Sequence, residues 1–253
     1  MTTSQPIKWR AFALPKRGHK AEEYEDAYAG DARVGRFAVA DGASESSFAN
    51  RWARLLVDAF VQAEKEGEGE WHWLERPQQR WAAEVDGQQL AWYAEEKRDM
   101  GAHATLLGVT LRPAERGPGG KWKAVAVGDS CLFQVRGDAL LHAFPLTSSA
   151  SFGNQPALLC SRPRGGKVVL PRPKVEWGEW KPGDQFFLLT DAIAQWFLRR
   201  HEARLKPWVS LAKRLREAKP DAALGALVEK LRDEDAMRND DVTIVTIDLL
   251  AQE

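Results

Sequence analysis

Three apolar runs in this chain each stop on an aspartate: "FAVA" before Asp41, "AVAVG" before Asp129 and "FFLLT" before Asp191. A fourth run, "VTIVTIDLL", starts directly after Asp240-Asp241. Short runs rich in Val, Ile and Phe and bounded by turn residues are strands. One aspartate in such a place is ordinary turn punctuation, because its side chain bonds nearby backbone. Four of them place carboxylates on the ends of a rigid scaffold, and carboxylates meeting at one rim repel each other unless a cation sits between them. Oxygen-only ligands favour Mg²⁺ or Mn²⁺ over zinc, and two such ions about 3.5–4 Å apart can clamp the attacking and leaving oxygens of a phosphoryl transfer. Glu25-Asp26, in "YEDAY", adds an acidic pair upstream.

Around these runs the pattern is α+β. Arg33 to Ala40 is a strand, and Phe48 to Glu66 carries apolar residues near a 3.6 period, as a helix does; a second helix is expected over about Gln78 to Lys97, with Trp81, Val85, Gln88 and Trp92 on one face. "ATLLGVTLRP" and "KWKAVAVGD" flank the hairpin loop "AERGPGG", and "SCLFQVRGDALLHAF" supplies two strands around Arg136-Gly137-Asp138, so an antiparallel meander is expected here. Helices follow Asp191, and two amphipathic ones precede the last strand. Strands grouped in hairpins and interrupted by helix pairs imply helices covering antiparallel sheets. The segment most like a linker, Glu64 to Pro77, is a charged loop without a Gly/Ser repeat, so residues 1–253 are taken as one domain.

Composition removes several function classes. Lys plus Arg and Asp plus Glu are 36 each, so no net field draws the chain to nucleic acid or an anionic membrane. Two cysteines are too few for a disulfide framework, the N-terminus has no signal-like region, and no run approaches the roughly 20 apolar residues of a membrane span. A cytoplasmic location is the expectation. Gly137 and Gly166 stand where a cysteine-based phosphatase needs its arginine, counted from Cys131 and Cys160. "RGGKV" lacks the outer positions of a nucleotide-binding P-loop, and no Cys/His cluster has zinc spacing. The 11 tryptophans are read as wide core aromatics at helix and sheet seams.

"EDAY", "FAVADGASE", "GAHATLLGVTL", "AVAVGDSCLFQV", "FFLLTDAIAQWF" and "NDDVTIVTI", in that order, resemble the successive motifs of the type 2C metal-dependent serine/threonine protein phosphatases, from about Tyr24 to Ile247. The resemblance implies a four-layer α/β/β/α sandwich with two mainly antiparallel central sheets, and a binuclear Mn²⁺/Mg²⁺ centre at one end. It implies that Asp41 bridges both ions, that Glu25 and the Gly42 carbonyl complete one site, and that Asp191 and Asp240 hold the other. Asp240 takes the metal slot and Asp241 the slot of the family's Asn. The chemistry implied is in-line attack on a phosphomonoester by a water bridging the ions, with Asp41, Asp191 and Asp240 as the catalytic carboxylates. Phosphorylated proteins would be substrates, placing the chain beside a serine/threonine kinase or its targets.

The chain departs from the family pattern in four places. Ala192 replaces a glycine that is not a ligand. Gln195 stands where many members have a second aspartate of a third metal site, which leaves Asp129 as half of one. Ala43 stands where some members have a histidine. Ala21 stands where an arginine usually grips the substrate phosphate, leaving Lys20, Arg17 or His19 as substitutes. Phe144 to Gly166 falls where the family has a substrate-flanking flap; its Ser-rich start with Arg162, Arg164 and Lys167 could meet a phosphopeptide, and it is read instead as a solvated loop, while His103 is read as a turn residue. The absent arginine and the Gln195 change support a rival from another class: a pseudo-phosphatase that binds a phosphoprotein or partner without turnover. The full two-metal ligand set counts against it, and hydrolysis of a small phosphorylated metabolite is a third possibility.

Overall fold

In the computed structural model, residues 7–44, 46, 48–63, 73–86, 100–153, 155–162 and 170–250 are described. Two five-stranded sheets face each other, and every strand pair is antiparallel. The first sheet has β1 (Ile7–Leu14), β12 (Val242–Leu249), β11 (Asp184–Leu189), β7 (Cys131–Arg136) and β8 (Ala139–Phe144), in that order. The second has β10 (Lys174–Trp180), β6 (Gly120–Val127), β5 (Leu106–Pro113), β3 (Arg36–Ala40) and β2 (Ala27–Asp31). A short pair, β4 (His103–Ala104) with β9 (Leu159–Cys160), lies beside them.

The central strands are continuous apolar runs because both of their faces are buried. In β12, Val245, Ile247 and Leu249 point into the core between the sheets, while Val242 and Ile244 point the other way, under helices. β11 divides likewise, Phe186 and Leu188 inward, Phe187 and Leu189 outward. In the second sheet Phe37 and Val39 enter the shared core while Ala38 and Ala40 meet helices. Helices α1 (Ala49–Gln62) and α2 (Glu75–Asp86) cover that outer face with Trp52, Leu56, Trp81 and Val85. The first sheet is covered by α3 (Asp191–Glu202), α4 (Pro207–Leu215) and α5 (Pro220–Asp233). This is the four-layer α+β sandwich. Trp52, Trp81, Trp122 and Trp180 are fully buried in it, and the indole N–H of Trp52 donates to the Leu159 carbonyl at 2.8 Å.

Three features depart from the sequence expectations. The two hairpins do not form one meander: β5–β6 belong to one sheet and β7–β8 to the other, and the chain crosses between sheets at Gly128-Asp129-Ser130. Gly128 makes the crossing with φ +99°, where a Cβ would come within 2.5 Å of the Thr105 side chain. Strands β1, β2 and β10 are additional, and each is a sheet edge with one half-exposed face, which weakens its apolar pattern. The second helix begins at Glu75, and the expected residues Gln88 and Trp92 lie outside the described residues.

Candidate metal centre

All four aspartate-bearing strand ends come to the same end of the sandwich, from both sheets. Asp41 follows β3 and Asp129 sits in the crossing after β6; Asp191 is the first residue of α3, after β11, and Asp240 lies just before β12. Carboxylate oxygens of Asp41, Asp129 and Asp191 lie within 4.8 Å of one another. Thr105 ties these pieces together. The backbone N–H of Asp41 donates to its hydroxyl at 2.9 Å, its own N–H donates to the Asp41 carbonyl at 2.8 Å, and its hydroxyl meets Ser130 Oγ at 3.1 Å. The "GAHAT" and "GDS" motifs thus hold the position of Asp41 between them.

Glu25 and Gly42 come together through the backbone. A Cβ on Gly42 would lie 2.6 Å from the Glu25 carbonyl oxygen, so only glycine lets this turn settle on residue 25. The Glu25 carboxylate is held by Lys16 Nζ at 3.0 Å and by a short bond from the Ser44 hydroxyl. Asp240 and Asp241 divide their labour. Asp241 is buried and accepts the backbone N–H groups of Lys16 and Glu25, each at 2.7 Å, fastening the β1–β2 connection to the start of β12. Asp240 instead faces the acidic cluster through Arg238, whose Nε is 3.3 Å from its Oδ2 and whose Nη2 makes a close ion pair with Asp191.

Crowding of charge shows in the proton affinities. Burial, then the charges of Asp240 and Asp129, raise the Asp41 carboxyl to about 7. Asp26, beneath the cluster, is pushed well up by burial and then by Asp41; its Oδ2 accepts from Thr243 Oγ1 at 2.7 Å. Burial also raises Asp129, with Arg238 partly opposing it. Lys16 is lowered by burial but raised further by the bond and charge of Glu25. Both carboxylate oxygens of Asp129 are buried with no hydrogen-bond partner. Orphaned buried carboxylate oxygens are rare because desolvating them is costly. Together with an all-oxygen donor set, they fit a hard divalent cation.

The remaining sequence candidates lie elsewhere. Arg17 is committed to α5, with Nη2 2.6 Å from Glu229 and 2.8 Å from Asp233, so its fork does not serve the cluster. Lys20 is exposed, with its backbone N–H donating to Glu23 at 2.8 Å. Gln195 donates to the Ser149 carbonyl at 3.2 Å, in the segment read as a solvated loop, and adds no carboxylate beside Asp129. Arg162 of that segment pairs closely with Asp86; Arg164 and Lys167 lie outside the described residues. His103 sits in β4 and is not part of the acidic group. Two basic residues, Lys16 and Arg238, escape the sequence patterns. Arg238 lies two positions before Asp240, a visible signal, whereas Lys16 reaches Glu25 only once the β1–β2 turn is formed.

The same architecture occurs in solved serine/threonine phosphatases. The phosphatase PstP/Ppp of Mycobacterium tuberculosis superposes with a TM-score of 0.62 at 16% identity, covering 97% of this chain and 99% of that one. The catalytic domain of PstP in complex with two manganese ions gives 0.60 at 16% identity, with 97% and 99% covered. RsbX in complex with magnesium gives 0.51 at 18% identity, with 96% and 95% covered. The fold is that of the metal-dependent serine/threonine phosphatases. The sequence agrees with it: the protein phosphatase 2C profile matches residues 17–232, and the chain belongs to that family. No curated protein matches it in sequence. Among the described residues no helix is long and apolar enough to cross a membrane.

Proposed function

We propose that this chain is a Mn²⁺/Mg²⁺-dependent phosphomonoesterase that removes phosphate from phosphoserine and phosphothreonine in proteins. The observation that carries the proposal is the convergence of three strand-end carboxylates, Asp41, Asp129 and Asp191, with ligand oxygens within 4.8 Å. Asp41, Asp191 and Asp240 would hold one ion, and Asp41, Glu25 and the Gly42 carbonyl a second, with Asp129 facing a third position that Gln195 leaves half-built. Ions bound there would neutralise the phosphoryl oxygens and lower the pKa of water enough to supply a nucleophile near neutral pH.

The chain's own residues have separable tasks. Thr105 fixes the Asp41 backbone on both its N–H and carbonyl, so the carboxylate is aimed by the sheet rather than by a loose loop. Asp241 locks the β1–β2 connection that carries Glu25. Asp191 opens α3, so the start of the helix fixes where its carboxylate projects. Asp26 is held in place by the Thr243 hydroxyl, and the charge of Asp41 raises its proton affinity.

Phosphate release from a phosphothreonine peptide and from an aryl phosphate, with Mn²⁺ and with chelator, tests the proposal. Metal-dependent release by the native protein that vanishes in Asp41→Asn is expected. No release from either substrate would leave a binding module; release that persists in Asp41→Asn would place the chemistry elsewhere.

A further inference from the structure

Arg238 occupies an unusual place. Its guanidinium lies against Asp191 and Asp240, the two carboxylates assigned above to one ion, and its charge also opposes the raised proton affinities of Asp41 and Asp129. One side chain therefore compensates four carboxylates. A guanidinium stays cationic at any relevant pH, so on one oxygen each of Asp191 and Asp240 it competes for lone pairs, and repels by like charge, any divalent cation that the same carboxylates ligate. Metal binding therefore favours its displacement. Arg238 is free to move, because its side chain is 36% exposed and it sits on the connection between α5 and β12, outside both.

A guanidinium released at the mouth of the cluster would meet whatever anion approaches the ions. Its planar fork matches two phosphate oxygens at once, which the point charge of a lysine does not. Of the other basic groups, Lys16 and Arg17 are engaged. Lys16 is bonded to Glu25 and Ser44, Arg17 to Glu229 and Asp233, and residue 21 is an alanine. We propose that Arg238 is a two-position residue: a tethered counter-ion on Asp191 and Asp240 that an incoming metal ion displaces, and that then grips the substrate phosphate. This rests on the metal-centre reading, and it adds a phosphate-binding residue and a built-in competition at one metal site.

The test is calorimetric titration of Mn²⁺ into the native protein, Arg238→Ala, Arg238→Lys and Asp41→Asn, followed by titration of orthophosphate into each Mn²⁺-loaded protein. Arg238→Ala should bind Mn²⁺ about tenfold more tightly than the native protein, the equivalent of ~1.4 kcal/mol, because the competitor is gone. Arg238→Lys keeps the charge and should bind Mn²⁺ nearly as the native protein does. Both variants should bind orthophosphate about tenfold more weakly, since neither has the fork. Native-like melting of the lysine variant guards against a folding artefact. Unchanged or weaker Mn²⁺ binding in Arg238→Ala overturns the counter-ion role, and unchanged orthophosphate binding overturns the phosphate role. If no protein in the series binds Mn²⁺, it is the metal-centre reading that fails, and this proposal falls with it.

Discussion

Replacing Asp41 with asparagine should stabilise the protein in chelator while abolishing its metal response. The Asp41 carboxyl rises from an ordinary 3.8 to about 7, first through burial and then through the charges of Asp240 and Asp129. A carboxyl with a raised folded pKa holds its proton more tightly in the native state than in the unfolded one. It is stability-neutral below about pH 4, where both states are protonated. Between about 4 and 7 only the unfolded chain loses the proton, so stability falls as pH rises, and above about 7 the penalty is constant. A rise of about three pH units at ~1.4 kcal/mol each sets a ceiling of ~4 kcal/mol. Asp41 keeps some exposed surface and shares its field with Asp26, so ~2 kcal/mol is the expected size. For a chain of this length that is roughly 4–8 °C in melting temperature.

The assay is thermal unfolding of both proteins at pH 5.5 and pH 8, in chelator and in saturating Mn²⁺. In chelator at pH 8 the asparagine variant should melt higher, and the gap should narrow at pH 5.5. In Mn²⁺ the order should reverse, because a ligand at a hundred times its Kd adds about 2.7 kcal/mol to the protein that binds it. A variant less stable than the native protein in chelator at pH 8, or a gap that ignores pH, would refute the idea that Asp41 is held under electrostatic stress for metal binding.

Other outcomes follow from particular contacts. Gly42→Ala forces a Cβ to 2.6 Å from the Glu25 carbonyl oxygen, so denaturant unfolding should show a loss of about 1–3 kcal/mol, with metal-dependent turnover lost as Glu25 moves. Asp184 accepts from Arg136 Nε at 2.6 Å, from Gln134 at 2.8 Å and from the Lys181 N–H at 2.9 Å; burial alone would raise its carboxyl, but these bonds hold it below the usual range. Its contribution is complete above the unfolded value and disappears as pH falls through the folded one, so Asp184→Ala should cost about 3 kcal/mol at pH 7 by denaturant melts, and the gap should close in acid. Arg17→Ala should leave the KM for a phosphothreonine peptide unchanged, because that guanidinium is bound to Glu229 and Asp233.

Much of the fold was legible because the central strands are buried on both faces. Val242 to Leu249 and Asp184 to Leu189 are apolar runs that stand out without any partner being known. The edges were harder. β1, β2 and β10 each bury a single residue and leave the rest half-exposed or exposed, so their pattern merges into the polar background. The hairpins β5–β6 and β7–β8 were visible as hairpins, but nothing local says that the chain changes sheets between them. That depends on Gly128 passing close to Thr105, a residue 23 positions earlier in the sequence.

The acidic centre divides in the same way. Sequence alone determined that carboxylates terminate the strands, since each aspartate follows or precedes its apolar run directly, and that Asp41 is followed by a glycine. Tertiary structure decided what surrounds them. Asp240 and Asp241 are adjacent and chemically identical; the family pattern put Asp240 in the metal slot, but the physical reason is tertiary, because the backbone N–H groups of Lys16 and Glu25, more than 200 residues away, hold Asp241 in the scaffold and leave Asp240 facing the cluster. Arg17 looked available for phosphate and is instead held by α5, while Arg238 and Lys16 arrive at the carboxylates through the fold. Charge type is written residue by residue, but charge balance is a sum over neighbours, and neighbours exist only once both sheets have closed on each other.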